Sequence, residues 1–317
     1  MARERPLVFV LVGPTAVGKT ACAIRLAKAL GTEIISADAR QFYKGLGIGT
    51  AQPTADERAA VPHHFVDFLE PDELCSAGAF ADMAATRIEQ LHADGHDSVV
   101  VVGGSGLYVK ALVEGLNELP ADLAIRAQLK VRLADEGLAP LVAELAALDP
   151  DHVARMDTAN PQRVVRALEV CLASGQPFSS FHAPDAISER PFDVVQLGLT
   201  APREVLEERI RARLSKMIEA GWEAEARAAL PHRHENALQT VGYREWFEHF
   251  DGMLTRAEAA EKIAVKTRQF AKRQMTWFQR DERVVWFGHE QCAELLHHAG
   301  QICREENIPF TESVSSS

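Results

Sequence analysis

Residues 13–20, GPTAVGKT, fit the spacing G-x-x-x-x-G-K-[ST] and carry the first chemistry legible in the chain. In such a loop the glycines let backbone N–H groups turn toward an anion, and the helix that follows adds its positive end. Gly13, Pro14, Thr15, Ala16, Val17, Gly18, Lys19 and Thr20 would together wrap a phosphate group, with Lys19 neutralising its oxygens and the Thr20 hydroxyl helping to hold Mg²⁺. The motif leaves open whether that phosphate is the group transferred or the group discarded. An ATPase would place an aspartate after a strongly apolar strand, yet VVVVGGSGLY has glycines and Ser105 there. Asp38, at the end of EIISAD, is the carboxylate best placed to face the loop, and capping a turn is its structural alternative.

These groups need elements to position them. LVFVLV (7–12) is a continuous apolar run suited to a central parallel strand, and TACAIRLAKAL continues as a helix that Gly31 stops. EIISAD reads as a second buried strand ending at Asp38, HFVDFLEP (64–71) as a third, and SVVVVGG (98–104) as the strongest of all. Ser76 is an N-cap for a long helix running to about Gly95. The alternation predicts an α/β fold, a doubly wound parallel sheet flanked by helices, with ligands beyond the carboxyl ends of its strands. The core spans 1–121 and 191–317, and 122–190 is a helical insertion. FDVVQLGLT (192–200) is expected as the last strand, the remainder as mostly helical, and TESVSSS as a frayed tail.

With 47% apolar and 25% charged residues, the composition excludes a disordered chain. No apolar run approaches the ~20 residues of a membrane span, and no cleavage site follows the start, so a cytoplasmic location is expected. Five scattered cysteines, without C-x-x-C or clustered histidines, suggest reduced thiols and no structural metal. His63 and His64 are adjacent on a strand, point to opposite faces and make a poor chelating pair. The net charge of -11 argues against non-specific nucleic-acid binding by the whole surface. Residues 262–280 depart from it: Lys262, Lys266, Arg268, Lys272, Arg273 and Arg280 fall in a stretch without an acid, either a solvated basic helix or a nucleic-acid face. Trp277 and Trp286 suit stacking on bases or anchoring a core.

GPTAVGKT, ISADARQFYKGLGIGTAQPT, VPHHFVDFLEP, VVGGSGLYVKAL, NPQRVVRALEV, TVGYREW and TRQFAKRQMTWF, in this order over roughly residues 7–287, resemble the tRNA dimethylallyltransferase family. The resemblance implies a P-loop-kinase-like core with a helical insertion. It also implies transfer of the five-carbon group of dimethylallyl diphosphate to N6 of adenosine 37, beside the anticodon. The loop would then hold the diphosphate that leaves. By the same resemblance Asp38 matches the general base, which a weakly nucleophilic exocyclic amine requires. Arg213, in RIRARLSKM with Arg209 and Arg211 close by, matches the diphosphate-contacting arginine. Ser105 stands where Thr is usual and keeps the hydroxyl.

For tRNA, whose anticodon stem-loop must release its adenosine from the stack, the resemblance implies several contacts. Asp38, Ala39, Arg40 and Gln41 would grip the base, with Ser105 beside them. Arg126 and the helix residues Gln162, Arg163, Val164, Val165 and Arg166 would meet the RNA, as would Gly242, Tyr243, Arg244, Lys272, Arg273 and Gln274. Ala39, Phe42 and Gly47 depart from the family's pattern at positions outside the proposed chemistry. The carboxyl-terminal zinc finger of eukaryotic relatives is not present in the sequence, which aligns the resemblance with bacterial members. No obligate protein partner is evident. A nucleotide kinase would use the same loop for ATP, and an enzyme prenylating free adenine nucleotides would not need the extended basic face. A nucleotide-sensing RNA-binding protein would not require Asp38.

Overall fold

The computed structural model describes residues 3–116, 119–181 and 190–311. From the amino end the chain runs β1 (Leu7–Val12), α1 (Lys19–Leu30), β2 (Ile34–Ser36), α2 (Ala55–Ala60), β3 (His63–His64), α3 (Ala77–Ala93), β4 (Ser98–Val102) and α4 (Gly106–Glu114). Four helices follow: α5 (Leu123–Glu136), α6 (Leu138–Leu148), α7 (Pro150–Val153) and α8 (Pro161–Ser174). The chain then continues with β5 (Asp193–Thr200), α9 (Arg203–Glu219), α10 (Trp222–Ala228), α11 (Tyr243–Phe250), α12 (Arg256–Phe278), β6 (Val285–Gly288) and α13 (Cys292–Glu305).

The strands form one six-stranded sheet in the order β3-β2-β4-β1-β5-β6, every pair parallel. In β1, Val8, Val10 and Val12 enter one core and Leu7, Phe9 and Leu11 the other. That two-sided burial is why the strand reads as an unbroken apolar run and not as an alternation. The α/β class and the flanking helices agree with the sequence reading.

Contacts divide the chain into a unit of residues 1–113 with 190–317 and a second unit of 114–189. The second has its own core, with Leu129, Leu141, Leu145, Val164 and Leu168 all buried. Its α8 begins with Asn160 as N-cap and Pro161 in the first turn, and ends at Gly175 in the left-handed region.

Several expectations need correction. The third strand is only His63–His64, because Phe65 and Asp67 take left-handed backbone angles (φ 58 and 59) that end an extended run. β2 stops at Ser36, two residues short of Asp38, so the aspartate lies on the loop beyond the strand. FDVVQLGLT is not the last strand: VWFG adds β6 beside β5. Its short run gave little periodic signal. Cys22 and Cys292 form a disulfide across 270 residues of sequence, while Cys75, Cys171 and Cys303 are free and buried. The pairing follows from α1 packing against α13, a proximity that spacing in the sequence does not disclose. Of the tail expected to fray, residues 312–317 lie outside the described residues, as do 182–189 of the insertion.

Candidate active site

The phosphate loop leaves β1 at Gly13, where a Cβ would stand 2.4 Å from the Leu199 carbonyl oxygen. Only glycine permits so close a passage beside β5. Gly18, in the left-handed region, precedes α1 and offers no side-chain cap, so the first amides of α1 remain for a ligand.

Two helices, α12 and α9, tie the loop down. Gln274 of α12 accepts from the Thr15 amide (2.8 Å) and donates to the Gly104 carbonyl (2.9 Å) beyond β4. Arg213 of α9 donates to the Thr15 hydroxyl (2.6 Å), and Arg209, one turn earlier, to the Val17 carbonyl (2.9 Å). Arg211 points elsewhere, to Glu261 (2.8 Å). Of the three neighbouring arginines, Arg209 and Arg213 therefore face the loop and Arg211 does not. Lys19 folds back on the carbonyls of Gly13 (2.9 Å) and Pro14 (2.8 Å).

Asp38 accepts from the Arg40 amide (3.1 Å), so it does cap a turn. It also acts on both cations. Burial pushes the Lys19 ammonium down to about 8, the Asp38 charge opposing and the Arg213 charge assisting that fall. Burial likewise lowers the Arg213 guanidinium, again against the pull of Asp38. The Ser105 hydroxyl accepts from the Ala39 amide (3.0 Å) and fixes the loop carrying the aspartate to the loop after β4.

A cavity of about 750 Å³ joins these parts. Its lining includes Thr15, Asp38, Ala39, Arg40, Ser105 and Arg213. Arg244, Arg273 and Gln274, which the resemblance marked, also line it.

Other residues marked by the resemblance do different work. Gln41 accepts from the Ser36 hydroxyl (3.0 Å) and donates to the Ala51 carbonyl (2.8 Å), bonds that brace its own loop. Tyr243 is fully buried and donates to Glu225 (2.6 Å), whose carboxylate also accepts from the amides of Ile48 and Gly49 (both 2.8 Å). Gly242 packs on Trp222, where a Cβ would stand 2.1 Å from the ring. Tyr243, through Glu225, thus helps hold Ile48 and Gly49 in place, and both Tyr243 and Gly242 are buried. Gln274 is buried as well and serves the phosphate loop.

In the helical unit, Gln162 and Arg163 are exposed while Val164 and Val165 are buried in its core, so those valines present no side chain outward. Arg126 and Arg166 both bond the buried Glu169 (2.8 and 3.0 Å). Burial alone would raise that carboxyl, but the bonds from Arg126, the Asp122 amide and Arg166 outweigh it and hold it below the usual carboxylate range. Helical spacing in PQRVVRALE places Glu169 three residues after Arg166, which is the signal that would have found it.

His63 donates through Nδ1–H to the Val61 carbonyl (2.8 Å) and His64 meets Glu33. Among the described residues no group of three or more His, Cys, Asp or Glu side chains is arranged to hold a metal ion.

The IPP transferase family model matches residues 41–281. The chain belongs to the IPP transferase family. It is 46% identical over 291 residues to tRNA dimethylallyltransferase 2 of Porphyromonas gingivalis, covering 92% of this chain and 96% of that one. Against tRNA dimethylallyltransferase 1 of Bacteroides thetaiotaomicron the identity is 42%, over 98% and 99% of the two chains. Among solved structures it is similar to the full-length tRNA isopentenylpyrophosphate transferase of Bacillus halodurans, at TM-score 0.70 and 34% identity, covering 96% and 98%. A eukaryotic dimethylallyltransferase acting on tRNA superposes at TM-score 0.80 with 23% identity, covering 97% of this chain and 81% of that one, and shares the fold. The family match thus includes α8, α9 and α12, which supply the arginines and glutamine described above.

Proposed function

We propose that this chain transfers the dimethylallyl group of dimethylallyl diphosphate to N6 of adenosine 37 in the tRNA anticodon loop, releasing diphosphate. The observation that carries the proposal is the placement of Asp38 in one cavity with Thr15 of the phosphate loop and Arg213, where its charge reaches Lys19 as well. A carboxylate among cations at the anion's end of a cavity suits attack on carbon with an anionic leaving group.

In this reading the adenine N6 lone pair forms the bond to the first carbon of the prenyl group as the bond from that carbon to oxygen breaks. The N6 proton passes to Asp38. Lys19, released from the Gly13 and Pro14 carbonyls, and Arg213 take up charge on the departing diphosphate. Ser105 keeps the Asp38 loop in register through the Ala39 amide.

The donor set fits Mg²⁺ bound chiefly through diphosphate and water. Thr20, in the first turn of α1, is the residue whose hydroxyl would hold the ion, the remaining ligands coming from diphosphate and water. When bound, Mg²⁺ would supply neutralisation of the leaving diphosphate.

For RNA, Arg40, Arg244 and Arg273 at the cavity and the exposed Gln162 and Arg163 of α8 are the proposed contacts, with Arg126, Arg166 and Lys272 adding positive charge. Among the described residues no helix is long and apolar enough to cross a membrane. We place the activity in the cytoplasm, where its tRNA substrate would be met.

The test is mass analysis of tRNA nucleosides after incubation with dimethylallyl diphosphate and Mg²⁺, beside Asp38→Asn under single turnover. We expect N6-(dimethylallyl)adenosine from the wild type and a loss of roughly 10² to 10⁴ in kcat for the variant, with tRNA binding retained. Phosphate transfer from ATP with no prenylated nucleoside would reject the proposal in favour of a kinase. A variant retaining more than about a tenth of the rate would remove Asp38 from the chemistry.

A further inference from the structure

Between Tyr43 and α2 the chain folds residues 46–52 into a compact turn: the amide of Thr50 donates to the Leu46 carbonyl (3.2 Å), that of Ala51 to Ile48 (3.0 Å) and that of Gln52 to Gly47 (3.0 Å). As in the first turn of a helix, the amides of Ile48 and Gly49 then point out of the amino end and need acceptors from elsewhere. Both find them in one carboxylate, Glu225 of α10 (2.8 Å each), which also accepts from the Tyr243 hydroxyl (2.6 Å). A Cβ at Gly49 would stand 2.1 Å from the Trp222 indole nitrogen and 2.4 Å from that hydroxyl, so only glycine lets the turn lie this close to α10.

The other end of the turn carries the loop of Asp38. Gln41 donates to the Ala51 carbonyl (2.8 Å), and Gln52 donates back to the carbonyls of Gln41 (3.0 Å) and Tyr43 (2.9 Å). The Gln41 amide in turn donates to the Asp38 carbonyl (2.9 Å). An unbroken run of hydrogen bonds therefore joins Glu225, through one turn of backbone, to the backbone of Asp38. Gly49, Thr50 and Ala51 line the cavity that contains Asp38, whereas Glu225 does not.

We propose that Glu225 is a positioning residue for the transfer reaction: by capping this turn from outside the cavity, it sets where Asp38 stands inside it. The inference rests on the reading of Asp38 as general base and adds what holds that base in place. A carboxylate suits the task because its two oxygens, which donate nothing, accept from all three donors. A glutamine of the same shape turns one of those oxygens into an NH₂ group that faces another donor. The turn would then shift, and Asp38 with it; a base misplaced by about 1 Å can cost about 10²-fold in rate.

The experiment measures single-turnover dimethylallyl transfer, with both substrates saturating, for the full chain and for Glu225→Gln, Gln52→Leu and Tyr243→Phe. Glu225→Gln should lower the rate about 10- to 100-fold while the Kd for pyrophosphate stays within about twofold. Gln52→Leu breaks the other end of the run and should do the same. Tyr243→Phe leaves both amides bonded and should lose less than about threefold. In an Asp38→Asn background the Glu225→Gln loss should shrink below about threefold, because no base remains to be misplaced. An equal loss in both backgrounds overturns the proposal, as does a lowered melting temperature with an unchanged rate, the mark of a cap that serves stability alone. Hydrogen exchange at the amides of Ala39, Arg40 and Gln41, each bonded in the resting loop, reads the brace without any chemistry. It should quicken in Glu225→Gln and Gln52→Leu but not in Tyr243→Phe, and exchange unchanged in the first two overturns the proposal. Quickened exchange in those variants, with no transfer by the wild type, would reject prenyl transfer and leave the brace on Asp38 standing.

Discussion

Lys19 illustrates how one side chain couples the loop's resting state to its chemistry. Before a ligand arrives it is held by two backbone carbonyls, Gly13 and Pro14, which accept its protons but carry no full charge. Burial therefore dominates and pushes it down to about 8, with only Asp38 opposing. The sign follows directly. The protonated form is the one that binds a diphosphate, so binding-competent enzyme is lost as pH rises through about 8. We expect kcat/KM for dimethylallyl diphosphate, which reports ionisations of the free enzyme, to fall above that pH. A bound diphosphate would raise the Lys19 pKa, so the corresponding fall in kcat should lie higher. Lys19→Arg, permanently charged, should abolish the alkaline fall in kcat/KM even at reduced rate. An alkaline fall unchanged in that variant would assign it to another group. The linkage to stability runs the opposite way: a lysine whose folded pKa lies below its unfolded value destabilises the fold where it is protonated. That cost is relieved as pH rises from about 8 toward 10.5, where an exposed lysine ordinarily titrates.

At the scale of elements, the sheet was legible because its central strands are buried on both faces and carry apolar runs, and α1 because its loop motif and Gly31 mark both ends. What escaped was whatever depends on approach between distant segments. β6 has four residues and needs β5 to be a strand at all, and the Cys22–Cys292 bond needs α13 beside α1. In the site, Asp38, Lys19 and Arg213 were visible from motif and resemblance. Tyr243 and Gln41 bond groups of the protein here, to Glu225 and to Ser36 and Ala51, and sequence does not disclose such partners, because a polar side chain near a binding motif looks the same whether it faces a ligand or a backbone group. Gln274 shows the distinction most clearly, since α12 uses it to bridge the phosphate loop and the loop after β4. Gln274→Ala leaves the Thr15 amide and Gly104 carbonyl without partners, at a cost of about 1–3 kcal/mol for each buried group. We expect weaker binding of pyrophosphate and a lower melting temperature. Gly104→Ala should resemble it, because the new Cβ would stand 2.2 Å from the Gln274 amide nitrogen. The two changes together should cost less than their sum, as removing the glutamine makes room for the alanine. Simple additivity would mean that the bridge is not the shared cause.

The whole molecule falls into two compact units, and the connections between them allow a test. Unit 1 closes its own cores on both faces of the sheet, and the helical unit closes another around Leu141, Leu145 and Val164. The chain leaves the first unit after Val113 and returns at Arg190, whose guanidinium donates to the Ala111 carbonyl. Exit and return therefore lie within reach of one arginine side chain. A Gly/Ser linker of about six residues, at up to ~3.3–3.6 Å per residue, is long enough to replace residues 114–189. The truncated protein should unfold cooperatively and still bind pyrophosphate, because Gln274, Arg209 and Arg213, which bond the phosphate loop, belong to unit 1. It should lose dimethylallyl transfer to tRNA, since the exposed Gln162 and Arg163 go with the excised helices. Calorimetry, pyrophosphate titration and the nucleoside assay read these three outcomes separately. Loss of cooperative unfolding would show that the cores depend on one another. Undiminished transfer would remove α8 from RNA recognition and leave the cavity face of α12 as the principal contact with the anticodon loop.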